Sequence, residues 1–171
     1  VKKYDKIKYF EVSFRSLSKT MNFGIDKTSS KFISKIDADD WLSNDFTNIL
    51  YNELIKKDLD YIYGDLIVHD EKKCTSYIKS QKIHKLFKKI YYPVGSGTIF
   101  KKKIWEQIGG YNELIYYQDD YDFWLKLNKL FNIRIGYIKS ANYNYRKHHL
   151  NMSKNIIQKN ITKYKILLKN I

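Results

Sequence analysis

Between Ile7 and Val68 the hydrophobic pattern keeps changing period, and that alternation limits the chain to a small set of folds. From Ile7 to Phe14 every second residue is apolar on one side, with Phe10, Val12 and Phe14 in line, the two-residue repeat of a strand. The pattern then predicts a short helix over Leu17 to Asp26 and a strand over Lys31 to Ile36. A second helix is predicted from Ser43, as N-cap, to about Lys57, because Phe46, Ile49, Leu50 and Leu54 recur at helical spacing. Tyr61 to Val68 is the next strand, and Asp70, Glu71 and two lysines read as an exposed turn. Strands alternating with helices bury a sheet beneath helices, so the expected fold class is α/β, a mixed sheet with flanking helices. At 171 residues, 43% of them hydrophobic and 16% aromatic, the chain is one domain's length with material for a real core.

The second half continues less regularly. An edge strand is expected at Thr75 to Ile78 and a helical turn near His84 to Lys88. The stretch from Tyr91 to Gly97 holds the only proline and two of the seven glycines, a loop whose backbone must approach something closely. A strand over Thr98 to Phe100 and a helix over Lys102 to Gln107 follow, stopped by Gly109 and Gly110. Further strands are expected at Ile133 to Ile138 and Ala141 to Tyr145, and an amphipathic helix carrying Ile157, Ile161, Tyr164 and Leu168 closes the chain.

Two acidic clusters interrupt this basic text. Asp37, Asp39 and Asp40 follow the strand that ends at Ile36. Carboxylates crowded this way repel one another unless a cation sits among them. At a strand end, alternation would turn Asp37 and Asp39 to one side, where two hard oxygen ligands can share one Mg²⁺ or Mn²⁺. Capping of the next helix accounts for the same residues, and both readings stay open on this stretch alone. The second cluster, Asp119, Asp120 and Asp122, opens a helix with the apolar stripe Phe123, Trp124, Leu127, Leu130 and Phe131. A helix dipole favours one or two acids in its first turn. Three exceed that need, and a carboxylate poised among others gains the proton affinity of a general base.

The net charge of +14, from 32 Lys+Arg against 18 Asp+Glu, implies an anionic partner. Arginine stands only at positions 15, 134 and 146, and lysine lacks the bidentate fork favoured in nucleic-acid recognition. A phosphorylated small molecule or an acidic membrane surface is therefore expected, and nucleic acid is not. Cys74 is the only cysteine, which fits a reducing compartment, so the expected location is cytoplasmic, at the inner face of a membrane where the positive charge holds it. No stretch has the apolar length of a membrane span.

Taken in order, Met21-Asn22-Phe23-Gly24-Ile25, Ile36-Asp37-Ala38-Asp39-Asp40-Trp41, Gly97, Ile108-Gly109-Gly110-Tyr111-Asn112-Glu113, Asp119 to Leu125, and Tyr145-Arg146 with His148, Asn151 and Ser153 resemble the family 2 glycosyltransferases. That resemblance implies the GT-A fold and transfer of a sugar from a nucleotide-diphospho-sugar donor to a saccharide or lipid-linked acceptor in surface polysaccharide synthesis. It also implies an inverting reaction that depends on a divalent metal, Mn²⁺ or Mg²⁺. Carried over by position, Asp37 and Asp39 fall on the metal-holding D-x-D, with Asp37 and Asp40 toward the donor and His148 as a further metal ligand. Asp120 falls on the catalytic base. Asp119 stands where the family has glutamate, and with Gly97 and Trp124 it belongs to the acceptor side, although for Trp124 core packing of the helix is the favoured role. Lys19 and Asn22 match the nucleotide side, and Arg146 and Lys147 lie near the diphosphate.

The family's opening strands, which form the nucleotide-base pocket, have no counterpart after Val1. The expectation is thus an N-terminally truncated GT-A domain over residues 1–153 followed by a C-terminal helix over 154–171. Two alternatives from the residues alone are a Mg²⁺-dependent nuclease or nucleotidyltransferase, which also uses paired acidic clusters, and a catalytically inactive fragment.

Overall fold

In a computed structural model, described over residues 6–83, 92–93, 95–151 and 155–169, the chain forms one mixed sheet with helices on both faces. Ser16 opens α1 (Leu17–Asp26) with its hydroxyl accepting from the Lys19 amide at 3.3 Å. There follow β1 (Phe32–Ser34), β2 (Trp41–Leu42), α2 (Phe46–Lys56), β3 (Tyr61–Asp70) and β4 (Thr75–Lys79). β5 (Thr98–Lys101), α3 (Lys102–Gln107), α4 (Asp119–Leu127), β6 (Ile135–Lys147) and α5 (Ile156–Lys169) complete the order. The strands run β1-β5-β3-β6-β2, and β4 joins the far end of β3. Among the described strands, only the β3/β6 pair is parallel.

Alternation along β3 explains the layers. Tyr61 and Tyr63 point into a core with Phe100, Ile104, Phe123 and Trp124 beneath α3 and α4. Ile62, Leu66 and Val68 point into the opposite core with Phe46, Leu50 and Leu54 of α2. β6 replaces two expected strands. Its register against β3 jumps from Gly64↔Ile138 to Asp65↔Asn142, so residues 139–141 bulge out while the pairing resumes. Gly64 permits this, because a Cβ there would strike the Ala141 carbonyl.

Three further expectations change. Residues 7–14 form no strand; Phe10 and Phe14 instead pack edge-on against Phe23 of α1, at 5.5 and 5.6 Å. Ser43 is not the cap of α2, since residues 41–42 are drawn into β2 and the helix starts after Asp45. α4 stops at Leu127, which leaves Phe131 out of the stripe at 92% exposure. The stripe Ile157, Ile161, Tyr164 and Leu168 of α5 faces outward, while Ile166, with the partly buried Leu167, packs against Tyr121 and Leu125. The helical turn expected near His84 to Lys88 lies outside the described residues.

Candidate active site

The end of β1, the loop before β5, the start of α4 and the end of β6 converge. After Ser34 the chain leaves the sheet, and the Asp40 amide donates to the Asp37 carbonyl at 3.2 Å, closing a turn. This turn cancels strand alternation, so Asp37 and Asp39 do not share a side as expected. Asp37 accepts from the Ser96 hydroxyl at 2.7 Å, while Asp39 lies 2.8 Å from His148 Nε2 and 3.5 Å from the Asn151 amide. Asp40 accepts from the Tyr143 hydroxyl at 2.6 Å and from the Arg146 amide at 2.8 Å. Burial raises the Asp40 pKa, Tyr143 and Arg146 oppose that, and the neighbouring Asp39 and Asp37 add to it.

Lys35 joins this turn to the second cluster. Its side chain is 11% exposed, and its ammonium lies 3.6 Å from Asp37 and 3.5 Å from Asp120. Burial alone would depress the Lys35 pKa, but the charges of Asp120, Asp37 and Asp119 outweigh it and the net shift is upward. Asp120 also accepts from the Gly95 amide at 3.0 Å. A Cβ on Gly95 would overlap the Asp120 carboxylate, and one on Gly97, where φ is +78°, would come within 2.7 Å of Tyr143. The glycines thus let the loop wedge between α4 and β6, and the Gly97 amide donates to the Lys35 carbonyl at 3.3 Å.

The residue before α4, Gln118, is left-handed at φ +65° and accepts from the Tyr92 hydroxyl at 2.6 Å. This unfavourable backbone swings Asp119 and Asp120 in behind the glycine loop. Burial, then the charge of Asp120, pushes the Asp119 pKa up to about 7, against the opposing pull of Lys35. One oxygen each of Asp119, Asp120 and Asp122 is buried without a hydrogen-bond partner.

Other expected site residues have different duties. Asn22 spends its side chain on the fold: its amide donates to the Tyr111 carbonyl and to Glu113, both at 2.9 Å. Its oxygen accepts from the Tyr111 amide at 2.8 Å and from the Trp105 indole at 3.2 Å. The Gly-Gly-Tyr-Asn-Glu stretch is therefore clamped to α1, and no polar atom of Asn22 is left for a donor. Lys19 is exposed at the rim of a cavity of about 770 Å³ that Asn22, Phe23, Trp105 and Gly110 also line. Trp124 is 4% exposed and packs its ring against Tyr61 and Tyr63, which removes it from the acceptor side. Arg146 pairs with Glu71 at 3.6 Å and Lys147 with Asp70 at 2.6 Å, so their cationic groups are engaged within the protein.

Among the described residues, no three His, Cys, Asp or Glu side chains gather as a cation site. Two of the three expected ligands, Asp39 and His148, do meet, whereas Asp37 is turned toward Ser96 and Lys35. An adjacent carboxylate and imidazole fit a divalent ion that draws its remaining ligands from water and phosphate oxygens. Sequence reasoning missed Lys35, Ser96 and Tyr143. Only Ser96 had a signal, its place between two glycines.

Comparison with known proteins places this site in context. The sequence profile described as "Glycosyl transferase family 2" matches residues 1–109. A glycosyltransferase, GlyA of Streptococcus pneumoniae serotype 4, is 26% identical over 72 residues, which are 42% of this chain and 10% of GlyA. The crystal structure of Staphylococcus aureus TarS 1–349 in complex with UDP-GlcNAc superimposes with a TM-score of 0.66 at 15% identity, over 87% of this chain and 44% of that one. A second crystal structure of TarS 1–349 gives 0.57 at 14% identity, over 80% and 42%. The chain thus spans less than half the length of these relatives and shares with TarS a GT-A fold over the matched part.

Proposed function

The chain belongs to glycosyl transferase family 2, and from that membership we propose that it carries the catalytic half of a site that moves a sugar from a nucleotide-diphospho-sugar to a hydroxyl of a saccharide or lipid-linked acceptor. The proposed reaction is inverting, serves surface polysaccharide synthesis and takes place at the inner face of a membrane. The observation that carries it is Lys35, which bridges the two acidic clusters by contacts of 3.6 Å to Asp37 and 3.5 Å to Asp120. A donor-side turn and an acceptor-side base must flank one reacting carbon, and this bridge ties the two elements into one unit.

Asp120 is the proposed general base, held by the Gly95 amide and facing the Lys35 ammonium, and it takes the proton of the attacking hydroxyl. Asp119 retains a proton up to about pH 7 and so gives the acceptor side a hydrogen-bond donor, with Gly97 shaping the adjoining loop. Asp39 and His148 are the residues that would hold Mn²⁺ or Mg²⁺, whose chemistry is to neutralise the leaving diphosphate. Asp37 and Asp40 keep the donor turn in shape through Ser96, Tyr143 and the Arg146 amide. Lys19, exposed on the cavity beside α1, remains a candidate for the nucleotide side.

Binding of a nucleoside diphosphate with and without Mn²⁺, measured by calorimetry, tests the donor side. Binding should require the metal and vanish in Asp39→Ala; tight metal-free binding indifferent to that change overturns the reading. Asp120→Asn should keep donor binding and lower sugar transfer by roughly 10²- to 10⁴-fold.

A further inference from the structure

Among the described residues, one side of α5 alone is used by the fold. Ile166, 3% exposed, packs against Tyr121 and Leu125 of α4, and the Lys163 ammonium lies 5.0 Å from the Tyr121 ring centre. At 3.6 residues per turn, Ile157, Ile161, Tyr164 and Leu168 form a single line on the opposite side. They are 73%, 42%, 68% and 74% exposed. Leu114 and Tyr116, 90% and 61% exposed, border a cleft of about 370 Å³ together with Leu168, Lys165 and Lys169, so they extend this surface beyond the helix. Single exposed apolar residues are ordinary on a protein, whereas a continuous line of them is a contact surface.

Charge selects the partner. α5 carries Lys159, Lys163, Lys165 and Lys169 and no Asp or Glu. The Lys159 pKa is lowered by burial and then by the like charges of Lys79 and Lys163, so positive charge gathers here from β4 as well. A second copy of this chain would bring lysines against lysines. An anionic bilayer accepts both the apolar line and Lys165 and Lys169 beside it, the pairing of apolar and cationic groups by which a helix lies in a membrane surface. Among the described residues no helix is long and apolar enough to cross a membrane.

We propose that α5, extended by Leu114 and Tyr116, lays its outward apolar line into the surface of an anionic lipid bilayer and docks the domain there. Because α5 packs on α4, whose first turn holds Asp119 and Asp120, this docking would bring the acceptor side toward the lipid surface. The inference deepens the membrane-facing part of the proposed function, yet lipid binding needs neither donor nor turnover. A chain without transferase activity therefore leaves it intact, and an active chain that ignores lipid defeats it alone.

The test is co-sedimentation of the 171-residue chain with phosphatidylglycerol/phosphatidylcholine vesicles and with phosphatidylcholine vesicles at low and high salt. Binding is expected to the anionic vesicles and to weaken with salt. The variant carrying Ile157→Glu and Leu168→Glu, both at exposed sites, should bind at least about 20-fold more weakly with unchanged circular dichroism. A second variant, Lys165→Glu with Lys169→Glu, should lose roughly fivefold or more per lysine on anionic vesicles only. Binding that is unchanged in the Ile157→Glu/Leu168→Glu variant overturns the proposal, because the general positive charge then suffices. Absence of vesicle binding, or a dimer in solution that the same variant dissociates, overturns it as well.

Discussion

The turn at Asp37 to Asp40 and the helix start at Asp119 to Asp122 are nearly the same text, each with three aspartates in four positions, but the fold treats them differently. In the turn, each carboxylate has its own partner: Ser96 for Asp37, His148 for Asp39, and Tyr143 with the Arg146 amide for Asp40. At the helix start, an oxygen of each aspartate is buried with no hydrogen-bond partner, although Lys35 and Lys126 stand within ion-pair range of Asp120 and Asp122. A turn can aim its side chains separately at donors on neighbouring strands. A helix fixes the directions of its first-turn side chains together, so they cannot all be satisfied. The lesson is that the carboxylates of the turn are each held by a partner within the protein, Asp39 by the His148 with which it would hold a cation, while those of the helix start keep an oxygen without a hydrogen-bond donor.

The strongest challenge to this contrast is Lys35→Met, which strips the charge shared by both clusters. With Lys35 only 11% exposed, the loss should be about 3 kcal/mol, seen as a lower midpoint in thermal or urea unfolding at neutral pH. Acidification should shrink the deficit, since protonated carboxylates no longer need a counter-charge. A full-sized deficit at pH 4 would mean that Lys35 acts by packing alone. Next in size, Gly95→Ala should cost about 2 kcal/mol and disturb Asp120 selectively, because the added methyl occupies the space of that carboxylate. An unaltered urea midpoint would show that Asp120 moves freely, and the helix start would then lose its defined geometry.

The Asp119 proton sharpens the comparison through pH. The folded state keeps this proton up to about pH 7, whereas the unfolded chain releases it near 3.8. Between those values the folded state binds more protons, so Asp119 makes stability fall as pH rises through the window. Asp119→Asn should remove that slope and stabilise the protein at pH 8 by on the order of 2 kcal/mol relative to wild type. Denaturant titrations at pH 5 and pH 8 check this, and parallel wild-type and variant curves would contradict it. The smallest effect belongs to the turn. Tyr143→Phe deletes the donor to Asp40 and the acceptor of the Asp37 amide, and should cost about 1 kcal/mol with little change in the pH slope.

Where the sequence could be read, it was read through local physics. α1 lies where the helical pattern put it, and β3, β4, β5 and α3 match their segments within a residue or two. The two glycines flanking Ser96 announced a close approach, and the loop does press on Asp120 and Tyr143. The misreadings share one cause, which is that pattern does not name a partner. Residues 7–14 have the alternation of a strand but find Phe23 instead of a neighbouring strand. Asn22 is assigned to the nucleotide side only by its position in the family pattern, yet its partners are Tyr111 and Glu113, about ninety positions away.

The amino-acid sequence by itself determined the α/β class, most element positions and the family, since these follow from hydrophobic period, turn residues and ordered short motifs. Tertiary structure alone decided what the charged and polar side chains do. Lys35 becomes the bridge between the acidic clusters only because the end of β1 and the start of α4 lie side by side, and Trp124 becomes core only because β3 passes beneath α4. The same holds for α5, whose helical pattern set the apolar line but not its direction. Packing through Ile166 turned that line outward, because a helix can press only one side against the body that holds it.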